Sequence, residues 1–317
     1  MTCFWGGGLC APRTKPAKPT LDLGASKYLE LRDIGSPQDD SDRKLTGTAN
    51  VLSGRQNDIK QKNLTMINWI EAVVAPHIVG SNYKSVAEIG SSTGAASDRI
   101  LELTNVNIVI IDPCLDVDLK TKYLPESRVR VLKGFSHDML PTVNEEFDCI
   151  LIDGDHNWYT VFNELEIIHN KKLLSPGGTI FFHDVAWPYG RRDMYYSTEK
   201  IPQEFLNPYS RKGIVRGFSG TVEDSSWPHD VAITEGGPRN GVLTAIEDFA
   251  KVHNNEYTLF YCDSVEAGLG VLWKKNSSSL NKQLLSTRLK LLKMSINASL
   301  NSPIPSIKRL ASRIIKP

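Results

Sequence analysis

Glu88-Ile89-Gly90-Ser91-Ser92-Thr93-Gly94-Ala95-Ala96 decides the fold of this chain. It follows a short apolar run, Val86-Ala87, and leads into a helical pattern from Ala95 to Leu103. A strand that ends in glycine and turns at once into a helix is a nucleotide-binding corner. Glycine lets the backbone approach a ligand, and the helix start offers free N–H groups. Glu88, two residues before Gly90, is out of character for a pyrophosphate site. A carboxylate there suits a cationic ligand better than a diphosphate.

Outward from this corner, apolar runs alternate with helical patterns. Asn107 to Ile111 ends in Asp112, and Val129 to Leu132 leads to Gly134-Phe135-Ser136. Phe147 to Ile152 ends in Asp153, and Thr179 to Phe182 ends in His183-Asp184. Short apolar runs of this kind are buried in parallel sheets. Between the last two lies a helical pattern, Trp158 to Leu174, with Val161, Phe162, Leu165, Ile168 and Leu173 apolar. The reading is α/β, with βαβ units in a doubly wound sheet. Ligands of such sheets bind at the carboxyl ends of the strands, where Asp112, Ser136, Asp153 and Asp184 fall. A lone Asp there more often caps the following helix. Four polar strand ends in one unit weaken that plainer reading.

Over Ser85 to Lys275 the chain resembles the class I S-adenosylmethionine-dependent methyltransferases. Glu88-x-Gly90-x-x-x-Gly94 resembles their first motif, and Asp112 matches the acidic residue on the ribose hydroxyls. Ser136 falls in the adenine-side loop. Asp153-Gly154-Asp155-His156 and Leu174-Ser175-Pro176-Gly177-Gly178 resemble the end of the fourth strand and the turn before the fifth. The resemblance implies a seven-stranded, mostly parallel sheet closed by an antiparallel pair, Tyr257 to Tyr261 and Leu269 to Trp273. It implies S-adenosylmethionine as cofactor, held by Glu88, Gly90, Ser92, Gly94, Asp112, Ser136 and Asp153. A nicotinamide dinucleotide is the rival, but the G-x-G-x-x-G spacing is missing.

Methyl transfer from a sulfonium needs the acceptor held in line and made nucleophilic. Asp153 and Asp184 end strands that are neighbours in this family, about 4.8 Å apart. Two such carboxylates can share Mg²⁺ or another divalent cation, which lowers the pKa of a bound hydroxyl. His156, three residues beyond Asp153, is the expected base, with Asp153 beside it. The Asp-Gly-Asp-His run resembles metal-dependent sugar and natural-product O-methyltransferases. In those relatives the fifth strand often ends in two acidic residues; here it ends in His183-Asp184. His183 therefore joins Asp153 and Asp184 as an expected ligand, and the metal's identity stays open. The plainer readings are that His156 only hydrogen-bonds Asp153 and that His183 is structural.

The chain has 317 residues and a formal net charge of +1. No run approaches a membrane span. No basic segment followed by an apolar stretch opens the chain, which predicts no secretory signal. Five irregularly spaced cysteines suit a reducing, cytoplasmic compartment. Residues 1–45 read as a poorly ordered arm, and 50–275 as the methyltransferase domain. Within the domain, the insertion 185–239 is aromatic and holds Arg191, Arg192, Arg211, Arg216 and Arg239. It reads as a substrate lid whose arginines suit an anionic acceptor. Gly236 to Gly241 reads as an anion-binding turn or as a cap by Asn240.

Residues 276–317 form a basic amphipathic tail. Ten basic and no acidic residues lie from Lys274 onward, so the rest of the chain carries −9. Such a tail can pack on its own domain, on a second copy in a homo-oligomer, or peripherally on the inner membrane surface. The expected acceptor is a hydroxyl of a small molecule or glycan. Nucleic acid is disfavoured by the acidic body, although the tail keeps RNA methylation in view. A binding protein on an inactive copy of the fold is the reading from another class.

Overall fold

The computed structural model of the chain describes residues 65–114, 117–224, 226–265, 267–275 and 282–300. The expected arm, 1–45, and the tail beyond Leu300 lie outside the described residues.

The strands are β1 (Ser85–Ile89), β2 (Asn107–Asp112), β3 (Val129–Lys133), β4 (Phe147–Ile152) and β5 (Leu174–Phe182). Three short ones follow in the insertion, β6 (Met194–Tyr195), β7 (Tyr209–Ser210) and β8 (Asp230–Ala232), and then β9 (Tyr257–Cys262) and β10 (Leu269–Lys274). The central sheet has the order β3-β2-β1-β4-β5-β10-β9. Its first five members run parallel, and β10 is antiparallel to both β5 and β9. The expected seven-stranded, doubly wound sheet with its closing antiparallel pair is therefore present. The chain order reverses between β1 and β4, and the carboxyl ends of these strands form the crevice where such sheets bind ligands.

The helices are α1, made of Met66–Trp69, a π-helical stretch Ile70–Val74, and Ala75–Gly80; α2 (Ala95–Leu103); and α3 (Leu119–Lys122). Further along come α4 (Ser136–Met139), α5 (Trp158–Asn170), α6 (Val242–Val252) and α7 (Lys282–Leu300). Strand residues alternate between two cores. Ala87, Ile89, Ile150, Ile152, Ile180 and Phe182 pack with Val161 and Leu165 of α5 and Ile246 and Phe249 of α6. Val86, Ile108, Ile110, Leu151 and Phe181 pack with Trp69, Ile70 and Val73 of α1, Ile100 of α2 and Leu291 of α7. Both faces are covered, so the strands read as continuous apolar runs. Cys114, Cys149 and Cys262 are buried free thiols.

Two boundaries differ from the sequence reading. Ser175 to Gly178 is an excursion inside β5, because Leu174 already pairs with Phe147 before the register shifts to Cys149–Thr179. Helix α6 starts at Val242 with Gly241 as its N-cap, not at Asn240. The Asn240 side chain instead accepts from the Asp193 N–H and donates to the Thr234 and Gly236 carbonyls.

The insertion folds on itself as a sheet of order β6-β8-β7 over a small core of Met194, Ile214 and Val231. Asp193 anchors it. Its buried carboxylate accepts from the N–H groups of Trp158 and Gly241 and from the Tyr195 hydroxyl. The described part of the tail, α7, lies on the domain. Thr287 and Leu291 are buried, Thr287 Oγ1 is 2.8 Å from His77 Nδ1, and the Ser295 hydroxyl meets Cys262 Sγ at 3.1 Å. Among the described residues no helix is long and apolar enough to cross a membrane.

Candidate active site

The corner after β1 is held by its own backbone. Gly90 has φ of 80°, and a Cβ there would run into the Gly154 backbone at the end of β4. That positive φ and that contact require glycine. The Asp112 carboxylate then organises the turn. It accepts from the N–H groups of Ser91 at 2.8 Å, Ser92 at 3.0 Å and Cys114 at 2.5 Å. A carboxylate has about four lone-pair sites, so room for roughly one further donor remains.

Glu88 points away from the crevice. Its strand position faces the α2 side, where it accepts from the hydroxyls of Ser91, at 3.0 Å, and Ser97. Burial pushes its pKa up to about 7; the two hydroxyls oppose the rise, and Asp153 and Asp112 add to it.

A cavity of about 300 Å³ opens at the carboxyl ends of β1, β2 and β4, a size at the lower end of small-molecule pockets. Gly90, Ser92, Asp112, Ser136 and Asp153 line it, as the sequence predicts. Glu88 and Gly94 are not part of its wall. Gly94 is the N-cap of α2, with φ of 82°, and its carbonyl accepts from the Tyr123 hydroxyl at 2.7 Å. The wall also includes Asp155, Glu164, Tyr196 and Lys200, which the sequence reading missed. Glu164 is one helical turn beyond Thr160 in α5, a spacing that could have flagged it. Burial raises its pKa to about 8, and its Oε2 has no hydrogen-bond partner. Tyr196 and Lys200 come from the insertion, and only its folding over the crevice brings them in.

Beside this cavity the four residues expected to handle the acceptor come together. His183 Nδ1 lies 3.1 Å from Asp153 Oδ1 and 3.0 Å from Asp184 Oδ2. His156 Nε2 lies 2.7 Å from the same Asp184 oxygen. His156 thus pairs with Asp184, not with Asp153. Asp184 adopts φ of 56°, a left-handed backbone that turns its carboxylate back between the two rings. Burial works against charge on His183, but Asp153 and Asp184 overcome it and push its pKa up to about 11. His156 moves the same way: burial opposes its charge, and Asp184 outweighs it. The two imidazoliums hold Asp184 below the ordinary carboxylate range against its own burial. Tyr189 and Tyr196 flank the His156 ring at 5.2 and 5.8 Å.

The donor set fits a divalent cation. Asp153, His156 and Asp184 each offer one ligand atom, all within 4.8 Å of one another. His156 Nδ1 and His183 Nε2 are buried without partners. The His183 proton sits between two carboxylates, where a cation would be held.

The insertion arginines serve the fold. Arg191 pairs with Glu247, Arg192 is buried on the Ala232 and Ser219 carbonyls, and Arg211 meets Asp230. Arg216 stacks on Trp187, and Arg239 on Trp158 and Phe205. None of the five lines the cavity. The cation that does line it is Lys200, bonded to Asp138 at 2.8 Å and lying over the Phe135 ring.

Residues 87–185 match the model of a family described as a methyltransferase domain. O-methyltransferase hkm8 of Aspergillus hancockii is 24% identical over 157 residues, 41% of this chain and 60% of that protein. The match thus spans about three fifths of that curated relative's length. Similar solved structures include the O-methyltransferase TomG from Streptomyces achromogenes, 13% identical, covering 63% of this chain and 78% of that one, with a TM-score of 0.39. Another is the methyltransferase PaMTH1 of Podospora anserina, 16% identical, covering 77% and 100%, with a TM-score of 0.40. Residues 87–185 thus match a methyltransferase domain, and the strand order and glycine corner are those expected of the class I S-adenosylmethionine-dependent fold.

Proposed function

We propose that the chain is an S-adenosylmethionine-dependent O-methyltransferase whose acceptor is a hydroxyl of a sugar, glycan or related small molecule. One observation carries the reading: the Asp153–His183–Asp184–His156 cluster adjoins a cavity walled by Gly90, Ser92, Asp112 and Ser136. When bound, the cofactor supplies a methyl group on a sulfonium, and the strand ends supply its cradle. Asp112, with room for a further donor, takes a ribose hydroxyl. Asp153 and Asp184, with His183, would hold a divalent cation, which would acidify an acceptor hydroxyl.

His156 takes the acceptor's proton. The Asp184 carboxylate favours the charged form of this ring, in which it cannot accept a proton. A cation held on Asp184 would offset the carboxylate charge that favours a charged His156, and so would favour the ring's neutral, basic form. Tyr189 and Tyr196 keep water from that ring. The insertion acts as the lid, through Tyr196 and Lys200 at the cavity wall.

The test is transfer of labelled methyl from S-adenosylmethionine to a panel of sugar and phenolic hydroxyls, with chelator and with Mg²⁺ or Mn²⁺ restored. The expectation is that chelation and Asp184→Asn each abolish turnover. His156→Ala should lower kcat more than it raises KM. Full turnover in excess chelator would remove the cation from the reading. Undiminished kcat in His156→Ala would remove the base. Failure of calorimetry to detect the cofactor would favour an inactive binding protein.

A further inference from the structure

A second group of metal-ligating side chains lies at the other end of the sheet. Helix α5 begins next to the active-site cluster and ends at Asn170, so His169 lies about 16 Å farther along, by helical rise. Two short spacings meet there. Glu166 and His169 are three apart on the last turn of α5 and share a face. His253 and Glu256 are also three apart, in the link between α6 and β9. The folding of α5 against α6 brings the two pairs together. The rings of His169 and His253 have centroids 4.1 Å apart. His169, His253 and Glu256 each offer a ligand atom, all within 4.8 Å of one another.

The surroundings match what a metal-bound imidazole needs. His253 Nε2 is 2.8 Å from Glu166 Oε1, and His169 Nδ1 is 3.3 Å from the Tyr257 hydroxyl. Each ring therefore has one nitrogen oriented by an oxygen partner, which leaves the other nitrogen for a lone pair. His169 Nε2 faces Glu256 Oε1 at 3.9 Å, too far for a hydrogen bond and open to an intervening ion.

We propose that His169, His253 and Glu256 form a binding site for Zn²⁺ or a similar nitrogen-preferring divalent ion, with Glu166 orienting His253. Two imidazoles and one carboxylate make a mixed set that suits Zn²⁺ and disfavours Mg²⁺, which prefers oxygen. Filled, the site ties the end of α5 to the link that enters β9. It does not depend on the proposed methyl transfer.

The experiment is a zinc titration of the full chain against a competing chromophoric chelator, with thermal melts in Zn²⁺ and in Mg²⁺. The proteins are the unaltered chain, His169→Ala/His253→Ala, Glu256→Gln and Asp184→Asn. The double histidine variant is expected to bind one zinc fewer per chain and to lose the part of the zinc-induced rise in Tm that Asp184→Asn retains. Asp184→Asn, altered only in the active-site cluster, should keep both. In Asp184→Asn, Mg²⁺ should not reproduce the rise. Should the double variant fail to fold, Glu256→Gln, altered at a half-exposed side chain, decides by its weakened zinc binding. Equal zinc binding in the unaltered and site-altered chains would overturn the proposal, as would absence of zinc from Asp184→Asn.

Discussion

Glu88→Gln should have opposite effects on stability and on cofactor binding. Glu88 is 1% exposed, and burial pushes its pKa from 4.5 to about 7. Below pH 4.5 the carboxyl is protonated in both folded and unfolded chains, and nothing is lost. Above that, the unfolded chain ionises first, and stability falls as pH rises through 7. Between pH 5 and pH 8 the loss is on the order of 2 to 3 kcal/mol. Gln cannot titrate, so the variant should gain about that much relative to the unaltered chain over the same interval. Any cost of burying the amide is the same at both pH values and cancels from the comparison. Urea melts of the cofactor-free proteins at pH 5 and pH 8 read it directly. A stability gap between the two proteins that does not move with pH would refute the reasoning. A cationic cofactor nearby favours the ionised carboxylate. Calorimetry near pH 7, in buffers of different ionisation heat, should therefore detect proton release on S-adenosylmethionine binding. Glu88→Gln should abolish that release and weaken binding.

His77 gives a second pH effect of opposite sign. Burial lowers its pKa from 6.5 to about 4, and it joins Thr287 of α7 to Thr179 of β5. Its contribution is full above pH 6.5 and is lost as pH falls towards 4, about 2 kcal/mol by pH 5. The non-titrating His77→Gln should flatten that part of the acid profile; parallel profiles would show that His77 is not the group. Helix α7 should also be drawn to anionic lipid. Leu285, Leu289 and Leu292 are exposed on it among Lys282, Arg288, Lys290 and Lys293, and each cation near such a surface contributes about 1 kcal/mol. Sedimentation with phosphatidylserine vesicles should fall at high salt and in Leu289→Gln/Leu292→Gln. Equal recovery from neutral and anionic vesicles would count against it.

Sequence alone was enough for the parallel core, because strands covered on both faces must be continuously apolar and a glycine corner has few uses. It also marked Asp112, Ser136, Asp153 and Asp184, since residues at strand ends share one edge whatever the helices do. Its plainer reading of His156 paired that ring with the wrong carboxylate. Three residues separate His156 from Asp153, but the left-handed backbone of Asp184 brings the more distant carboxylate closer. It expected Glu88 in the crevice, whereas the two-residue alternation of β1 turns that side chain under α2, towards Ser97. It could not assign partners to the insertion arginines, because charge in a sequence carries no record of its partner. Lys200 had no local signal, Tyr196 was one aromatic among several in the insertion, and the spacings of Glu166 with His169 and of His253 with Glu256 did not reveal that the two pairs meet. Their neighbours lie tens of residues away in the chain, and only tertiary packing decides which distant side chains share a site.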